Sequence, residues 1–590
     1  MSLIHRNFGV LILFSVLFLS SSAIAERPRC YEILPSRTLA YLRIADVKEL
    51  GEKFEETSFG KMIEQEQMKS LTTRLYEEAE IAFVPVAEEI GLTIRELLAI
   101  PSGEIAIAAV APPSGGEITA PVVMMDVEGQ QANMKKLLDL MEEKLEEEGR
   151  TKVTEAERGT AMNVFEDDDP RWTGLIHFQK DALQVFTTNR DVAKQILAAW
   201  DGDEKQLTLE NNQDFADVMR HSKGPKEAIP QIRWFIDPIS LAKVSLRGNT
   251  AAQGGLAFLP VVGADGLLAL GGSMTFATDE YDSFTQAHMI TAEPRNGALA
   301  MLAMKSGDPT PESWVPYDVA SYSTMYWDLG KTKNEFEQLY NSFAGAGRFE
   351  EDVLFRASEF LGLDVMEEVV DVMDGRFSLA TMVSRPAKLR MTYLGGLKLK
   401  ADHEFEKTFD SVMEKVGTDL EKKSYGGFTY YYTPVEEVEP DDVENPFGGA
   451  QQLAVGIVGD YVLISNKASA IERAIITRSS KKSLATELDF KLVASKLRRQ
   501  GGGKKPGMFT FNRPEEGLRM MYEMATSDST RGMLAGAAEN NDGLRTLNSV
   551  LEENPLPPFA KLKEFLAPTG SIITADDKGF HYTGFGLRRK

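Results

Sequence analysis

The strongest indication of fold class in this sequence comes from residues 173–188, TGLIHFQKDALQVFTT. Two apolar runs flank Asp181, which sits where a β-hairpin turn is required. The runs 150–155 and 160–165, just upstream, also read as strands, and helical periodicity lies on both sides of the block. Hairpins separated by helices, without regular βαβ alternation, predict an antiparallel α+β fold.

The residues upstream of this block predict both helices and strands. Two long helices are expected at 46–70 and 71–99, because their apolar residues recur at helical spacing. Residues 130–148 predict a further amphipathic helix, whose apolar stripe consists of Met134, Leu137, Leu138, Met141 and Leu145. Further strands are expected at 38–44, 104–111, 120–127, 231–236, 267–278 and 283–290.

The chain also repeats itself at long range. Leu34-Pro35 corresponds to Val315-Pro316 and Tyr41 to Tyr322, at offsets of 281. Farther on, the helix at 130–145 falls on 401–416, and the strand at 231–236 falls on 508–512, in the same order. The sequence therefore predicts two tandem related halves, 26–296 and 297–590, each with antiparallel hairpins packed by helices. The alternative, chance similarity between two α+β stretches, stays open at this point.

Composition limits the classes of partner. The 590 residues contain 89 Asp and Glu against 65 Lys and Arg, which gives a formal net charge of −24. This balance argues against nucleic acid or an anionic membrane as the main partner, because phosphate binding needs clustered basic residues. The single cysteine, Cys30, excludes internal disulfides and cysteine-rich zinc sites. No cofactor motif is present, so we expect no cofactor.

Residues 1–25 read as a secretory signal peptide. A short basic region precedes an apolar core at 8–19, and Ala23-Ile24-Ala25 matches the small-x-small pattern that signal peptidase cuts. An uncleaved membrane anchor is the alternative, although the apolar run is shorter than the ~20 residues that a span needs. Arg27-Pro28-Arg29 before Cys30 argues against bacterial lipidation of that thiol. We therefore expect cleavage after Ala25, a periplasmic or extracellular protein, and no membrane span in the mature chain.

The opening of the predicted mature chain resembles a known family. Leu34-Pro-x-x-Thr38-x-Ala40-Tyr41-Leu42, Ser58-Phe59-Gly60-Lys61 and a strand that begins after Gly103 are similar to motifs of large exported bacterial proteins, common in planctomycetes, that carry a domain of unknown function. The resemblance covers mostly the first 110 residues, and its motifs contain no catalytic residue. It implies export and a mixed α/β fold, without an activity.

Two acidic loops are the candidate cation sites. They follow equivalent predicted strands in the two halves, and carboxylate oxygens are the ligands that Ca²⁺ prefers. Neither loop has the spacing or the glycine of a preorganised calcium loop, so solvated hairpin tips are the competing interpretation. The candidate ligands are Asp167, Asp168, Asp169, Glu439, Asp441 and Asp442.

No catalytic residue is predicted. The five histidines outside the signal segment lack an HExxH or paired spacing, and no GxSxG surrounds a serine. Gly330-Lys331-Thr332 lacks the glycine that a phosphate-binding loop needs five residues earlier, where Met325 stands. Met520, Met521 and Met524 are expected to fill the core. The run Phe428–Tyr432 is expected to be a strand with an aromatic face.

These observations favour an exported, non-enzymatic binding or envelope-associated protein. A groove between the two halves is the expected ligand site, because ligands commonly occupy clefts between domains. The alternatives are an extracytoplasmic hydrolase of glycosidase type, which needs two carboxyl groups about 5–10 Å apart, and a structural or chaperone-like module that binds proteins through sheet edges. A protein or envelope partner is expected, whereas the sequence leaves the ligand and the oligomeric state open.

Overall fold

The architecture described below comes from a computed structural model of the chain. The structure describes residues 27–113, 119–168, 174–383, 391–401, 404–417, 419–434, 452–539 and 541–589. The predicted signal segment, 1–25, lies outside the described residues.

In its described residues, the first half contains ten strands and a series of mostly short helices. Its strands are β1 Thr38–Ile44, β2 Ile105–Val110, β3 Ala120–Asp126, β4 Thr151–Glu157, β5 Thr160–Glu166, β6 Leu175–Lys180, β7 Leu183–Thr187, β8 Ile232–Ile236, β9 Leu267–Phe276 and β10 Tyr281–Thr291. Its α-helices are α1 Cys30–Ile33, α2 Val47–Glu55, α3 Ser58–Ile63, α4 Glu66–Ile90, α5 Ile94–Leu98, α6 Gln131–Glu147, α7 Arg190–Trp200, α8 Gln213–His221, α9 Pro238–Ser245 and α10 Thr250–Leu256. Short 3₁₀ turns lie at Leu209–Asn211, Pro225–Glu227 and Ala264–Gly266.

The second half has elements of the same kinds. Its strands are β11 Ser321–Tyr326, β12 Met373–Val383, β13 Met391–Leu399, β14 Glu421–Tyr425, β15 Phe428–Tyr432, β16 Ala454–Val458, β17 Tyr461–Ser465, β18 Met508–Asn512, β19 Thr569–Asp576 and β20 Gly579–Leu587. Its α-helices are α11 Gly297–Met301, α12 Leu329–Ala344, α13 Arg356–Leu361, α14 Phe405–Val416, α15 Ala468–Ser480, α16 Leu488–Gln500, α17 Pro514–Ala525, α18 Asp528–Ala538, α19 Asp542–Glu553 and α20 Phe559–Leu562. One 3₁₀ turn covers Leu484–Thr486, and π-helical turns cover Glu350–Phe355 and Met366–Val370.

The twenty strands of the described part of the chain belong to one antiparallel sheet, so the predicted α+β class is confirmed. The halves meet where β10 pairs with β20, a contact that we call the central seam. From the seam, the first half continues as β9, β8, β1, β2, β3, β7, β6, β5 and β4. The second half continues as β19, β18, β11, β12, β13, β17, β16, β15 and β14.

Two helices of each half cover the same face of the sheet and build the main cores. In the first half, Ile196 of α7 and Phe215 of α8 pack in a cluster with the buried strand residues Tyr41 and Phe235. In the second half, α15 and α16 form the corresponding layer, in which Phe490 contacts Phe509 and Phe511 at ring distances of 5.6 Å. We call this side the helix face.

The opposite face is covered toward both outer ends of the sheet. Phe186 faces α6, where Met134 is buried, whereas its neighbour Val185 belongs to the main core. In the second half, Phe405 and Phe409 of α14 pack against Val462. This alternation is the period-two geometry of strands with two buried faces.

The predicted helices at 46–70 and 71–99 are wrong in their boundaries, because local signals divide the region into α2 to α5. The Thr57 side chain accepts the Gly60 N–H and starts α3. Gly60 also approaches the preceding turn so closely that a Cβ would lie 2.2 Å from the Phe54 carbonyl oxygen. Gly91, with φ of +64°, ends α4 in the left-handed conformation that glycine adopts readily.

Candidate functional site

A cavity of about 520 Å³ opens on the helix face beside the seam. It lies between α2, the loop that precedes β8, the β9–β10 turn and the last residue of α16, Gln500. Residues of both halves therefore line it, and we call it the junction cavity. The first half supplies most of its lining, whereas Gln500 belongs to the second half.

Two buried polar side chains form part of its wall. Gln231, 4% exposed, donates from Nε2 to Glu49 Oε1 at 2.9 Å and accepts the Phe276 N–H at 2.9 Å. Thr275 is 2% exposed, and its hydroxyl has no hydrogen-bond partner among the described residues. A buried hydroxyl without a partner costs free energy. The Thr275 hydroxyl is therefore an unsatisfied polar group in the wall of this cavity.

Charged residues connect the halves at the rim. Glu280 pairs with Lys226 at 3.2 Å and with Lys496 of α16 at 2.6 Å. The hydrogen bonds from these lysines lower the pKa of Glu280 to about 2, so it is a carboxylate at neutral pH. Gln500 donates to the Tyr281 hydroxyl at 2.9 Å, also across the halves. The rim is thus held by paired groups, and the unsatisfied Thr275 lies inside.

Three histidines that the sequence presents as isolated residues meet at the seam. His288 of β10 and His581 of β20 are direct cross-strand partners, and their Nδ1 atoms are 3.0 Å apart. His221, the last residue of α8, lies over both, with ring centroids 5.3 Å from His288 and 5.1 Å from His581. The lack of paired spacing in the sequence therefore does not keep these three histidines apart in the fold.

Hydrogen bonds around this histidine cluster define its proton arrangement. His581 Nε2 is 3.1 Å from Asp576 Oδ2, and His221 Nδ1 is 2.8 Å from the Asp217 carbonyl oxygen. A neutral His581 that donates to Asp576 accepts at Nδ1, so His288 donates from its own Nδ1. His288 Nε2 then keeps a lone pair, buried and without a partner in the described part of the chain. Burial and the two neighbouring histidines lower the pKa of His288 to about 4.

The remaining histidines have simpler surroundings. His177 Nε2 lies 2.9 Å from Glu142 Oε1, and its ring lies between Phe165 and Phe186. Burial lowers the pKa of His177 despite the opposing effect of Glu142. His403 lies outside the described residues. Within the described ranges, no histidine is hydrogen-bonded to a Ser, Thr or Cys side chain, as a nucleophile with its base would be.

The acidic loop of the first half is neutralised by arginines. Asp167 forms an ion pair with Arg150, and Glu166 pairs with Arg190, beside a shallow cavity of about 570 Å³ that Asp168 also lines. The other candidate cation ligands, Asp169, Glu439, Asp441 and Asp442, lie outside the described residues. In the part of the chain that the structure describes, no group of three or more His, Cys, Asp or Glu is arranged to hold a metal ion.

Two other sequence predictions have different outcomes. Met521 is 57% exposed, and no residue of α17 is buried, so the expectation that its methionines fill the core is wrong. The aromatic run forms β15, as predicted, and Tyr430 and Tyr431 each donate a hydroxyl hydrogen bond to a carboxylate of a packed helix. These hydroxyls are satisfied internally.

No helix within the described ranges combines the length and the apolar character needed to cross a membrane. Comparison of the chain with protein families, with curated proteins and with solved structures gave no match.

Proposed function

We propose that this chain is an exported, non-enzymatic binding protein that holds a small polar ligand in the junction cavity. The observation that carries the proposal is the Thr275 hydroxyl, which is buried in the cavity wall without a partner among the described residues. Binding pockets are typically concave and contain a few oriented polar groups. A cavity of about 520 Å³ is large enough for a ligand of small-molecule size.

We also propose that the two halves are copies of one α+β unit. Strand order supports this: counted within its own half, each series reads 10-9-8-1-2-3-7-6-5-4 outward from the seam. The predicted equivalences agree with this order, because 231–236 and 508–512 correspond to β8 and β18, and 130–145 and 401–416 to α6 and α14. Two copies of one unit that pack together form a cleft at their junction, which is where the proposed ligand cavity lies.

Export with cleavage after Ala25 is part of the proposal. The burial of Cys30, 0% exposed and packed in the first core, supports a structural thiol rather than a lipid-bearing one. Intact-mass measurement of protein from the exported fraction tests this, and the expected mass begins at Glu26. A mass that retains residues 1–25, or an added diacylglycerol, would contradict it.

The cavity chemistry favours binding over hydrolysis. Three acidic side chains line the cavity: Glu49, Asp279 and Glu280. Glu280 is held by two lysines with a pKa of about 2, whereas a general acid needs a raised pKa. Glu49 accepts a hydrogen bond from the buried Gln231. Both groups stabilise the wall, which is the role that we assign to them.

Native mass spectrometry of the exported protein, combined with thermal-shift measurements on neutral monosaccharides and zwitterionic amino acids, tests the proposed function. Thr275→Val removes only the hydroxyl and is expected to weaken binding about tenfold, since a hydrogen bond to a buried group is worth about 1–1.5 kcal/mol. Thr574→Val is the matched control in β19, which neighbours β20 as β9 neighbours β10. Equal affinities in both variants, or no ligand from either compound class, would contradict the proposal.

A further inference from the structure

A row of four polar residues crosses the helix face of the first half, whereas the two central positions of the corresponding row in the second half are apolar. Arg43, Arg233, Ser273 and Gln286 are successive cross-strand partners on β1, β8, β9 and β10. The strands that hold the same places in the second half carry Thr324, Phe509, Ile572 and Thr583. Phe509 and Ile572 are buried in the core. The first half therefore places a charged side chain, Arg233, at a position where its partner half has a packed aromatic ring.

The charge of Arg233 is not compensated locally. Arg43 lies directly opposite, and like charges in that arrangement are destabilising. The carboxylate of Glu104 is bound to Arg43 at 2.5 Å and lies 3.7 Å from Arg27, so it is engaged by other arginines. No Asp or Glu within the described ranges pairs with Arg233, and its buried Nε–H has no acceptor there.

The surroundings of Arg233 add positive charge in an acidic protein. Burial and the charges of Arg43 and Arg29 lower its pKa, while Tyr31 and Tyr41 partly offset this effect. An arginine guanidinium nevertheless stays protonated in proteins. The chain as a whole has a formal net charge of −24, so the positive charge around Arg233 is opposite in sign to the net charge of the protein. Arg233 is only partly buried, so a small solute can reach it.

We propose that Arg233 binds an oxyanion, the carboxylate or phosphate group of a small molecule. The guanidinium presents parallel N–H donors that match both groups in a bidentate arrangement. The anion would also compensate the repulsion between Arg233 and Arg43. Arg233 does not line the junction cavity, so this site is separate from the one proposed above and does not depend on it.

Isothermal titration calorimetry of the full exported chain at low ionic strength tests the proposal, with inorganic phosphate and succinate as separate probes. We expect saturable binding of at least one probe, weakened at least tenfold by Arg233→Gln. Arg233→Lys keeps the positive charge but loses the planar pair of N–H donors. Its affinity for the probe should therefore lie between those of the wild type and Arg233→Gln. Arg348→Gln, at an exposed arginine paired with Glu351 and Asp352, is the control and should bind as the wild type does.

The pattern of binding identifies the chemistry. If only phosphate binds, the site is assigned to a phosphate group. If only succinate binds, it is assigned to a carboxylate. If both bind, the site takes oxyanions without preference. No saturable binding of either probe, or equal affinities in the wild type and Arg233→Gln, would overturn the proposal.

A second variant separates a binding role from a structural one. Arg233→Met replaces an uncompensated charge by an apolar side chain, which is the character that Phe509 has in the other half. We expect this variant, without ligand, to unfold about 1–2 °C above the wild type. It should also lose the rise in melting temperature that the bound probe gives to the wild type. A lower melting temperature than that of the wild type would mean that Arg233 holds the fold together, and would overturn the proposal.

Discussion

Acidification is expected to destabilise the protein through His288. Its side chain is 5% exposed at the seam, and its pKa is about 4 against 6.5 for a free histidine. Between these values the unfolded chain binds a proton that the folded chain does not, so stability falls as the pH decreases. At pH 5 the loss is about 2 kcal/mol, and it approaches about 3 kcal/mol below pH 4, from 1.36 kcal/mol for each pKa unit.

The assay is urea unfolding at a series of pH values from 7.5 to 4.5. His288→Gln cannot titrate in this range, so its stability curve should lack this part of the pH dependence, and the difference from the wild type isolates it. Met289→Leu is the control, because Met289 follows His288 on β10 and its substitution changes no titratable group. Parallel curves for the wild type and His288→Gln would refute the reasoning. The proton would then be taken up equally by the folded and unfolded states.

Three further predictions concern the cores. Glu312→Gln leaves the buried Arg376 without its carboxylate, 2.8 Å away, and should cost about 3–5 kcal/mol in urea unfolding; Asp318→Asn, at an exposed pair, should cost less than about 1 kcal/mol. Phe490→Ala should cost about 3–5 kcal/mol by the same assay, and a value below about 1 kcal/mol would contradict the packing described for α16. The Cys30 thiol, 0% exposed and with its pKa raised by burial, should react with a thiol reagent only after denaturant is added, and rapid labelling of the native chain would contradict its position in the core.

The local fold was largely predictable where turn chemistry and period-two alternation coincide. The predicted strand pair around Asp181 is β6 and β7, and the turn between them uses positive φ at Asp181 and Ala182, 45° and 61°. Such a turn matches the twist of the flanking strands, and Asp181 between two apolar runs is the local signal that predicted the hairpin. The helices between 46 and 99 were less predictable, because continuous helical periodicity hid the helix start at Thr57 and the helix end at Gly91.

Tertiary contacts account for the larger errors. The apolar spacing of Met520, Met521 and Met524 predicts a buried stripe, but a stripe is buried only where another element covers it, and Met521 is exposed. The histidine cluster was invisible for a related reason. His288 and His581 are 293 residues apart. An alignment of the two halves does not match His288 with His581. The two residues meet because the last strand of each half pairs antiparallel with the other at the seam. Only the pairing of β10 with β20 brings them together.

The two halves differ in where they carry buried polar groups on the strands near the seam. Four buried polar atoms without partners among the described residues lie on β8, β9 and β10 of the first half: Arg233 Nε, Thr275 Oγ1, Gln286 Oε1 and His288 Nε2. The strands that occupy the same places in the second half, β18, β19 and β20, contain no such atom in their described residues. A buried polar group without a hydrogen-bond partner lowers the stability of the fold. Such groups are therefore expected mainly at functional sites. We therefore expect the second half to serve mainly as the packed scaffold and the first half, beside the seam, to carry the binding chemistry. Substitutions that remove these four polar groups should alter ligand binding or pH response, whereas substitutions in the core at Phe509 or Ile572 should alter stability first.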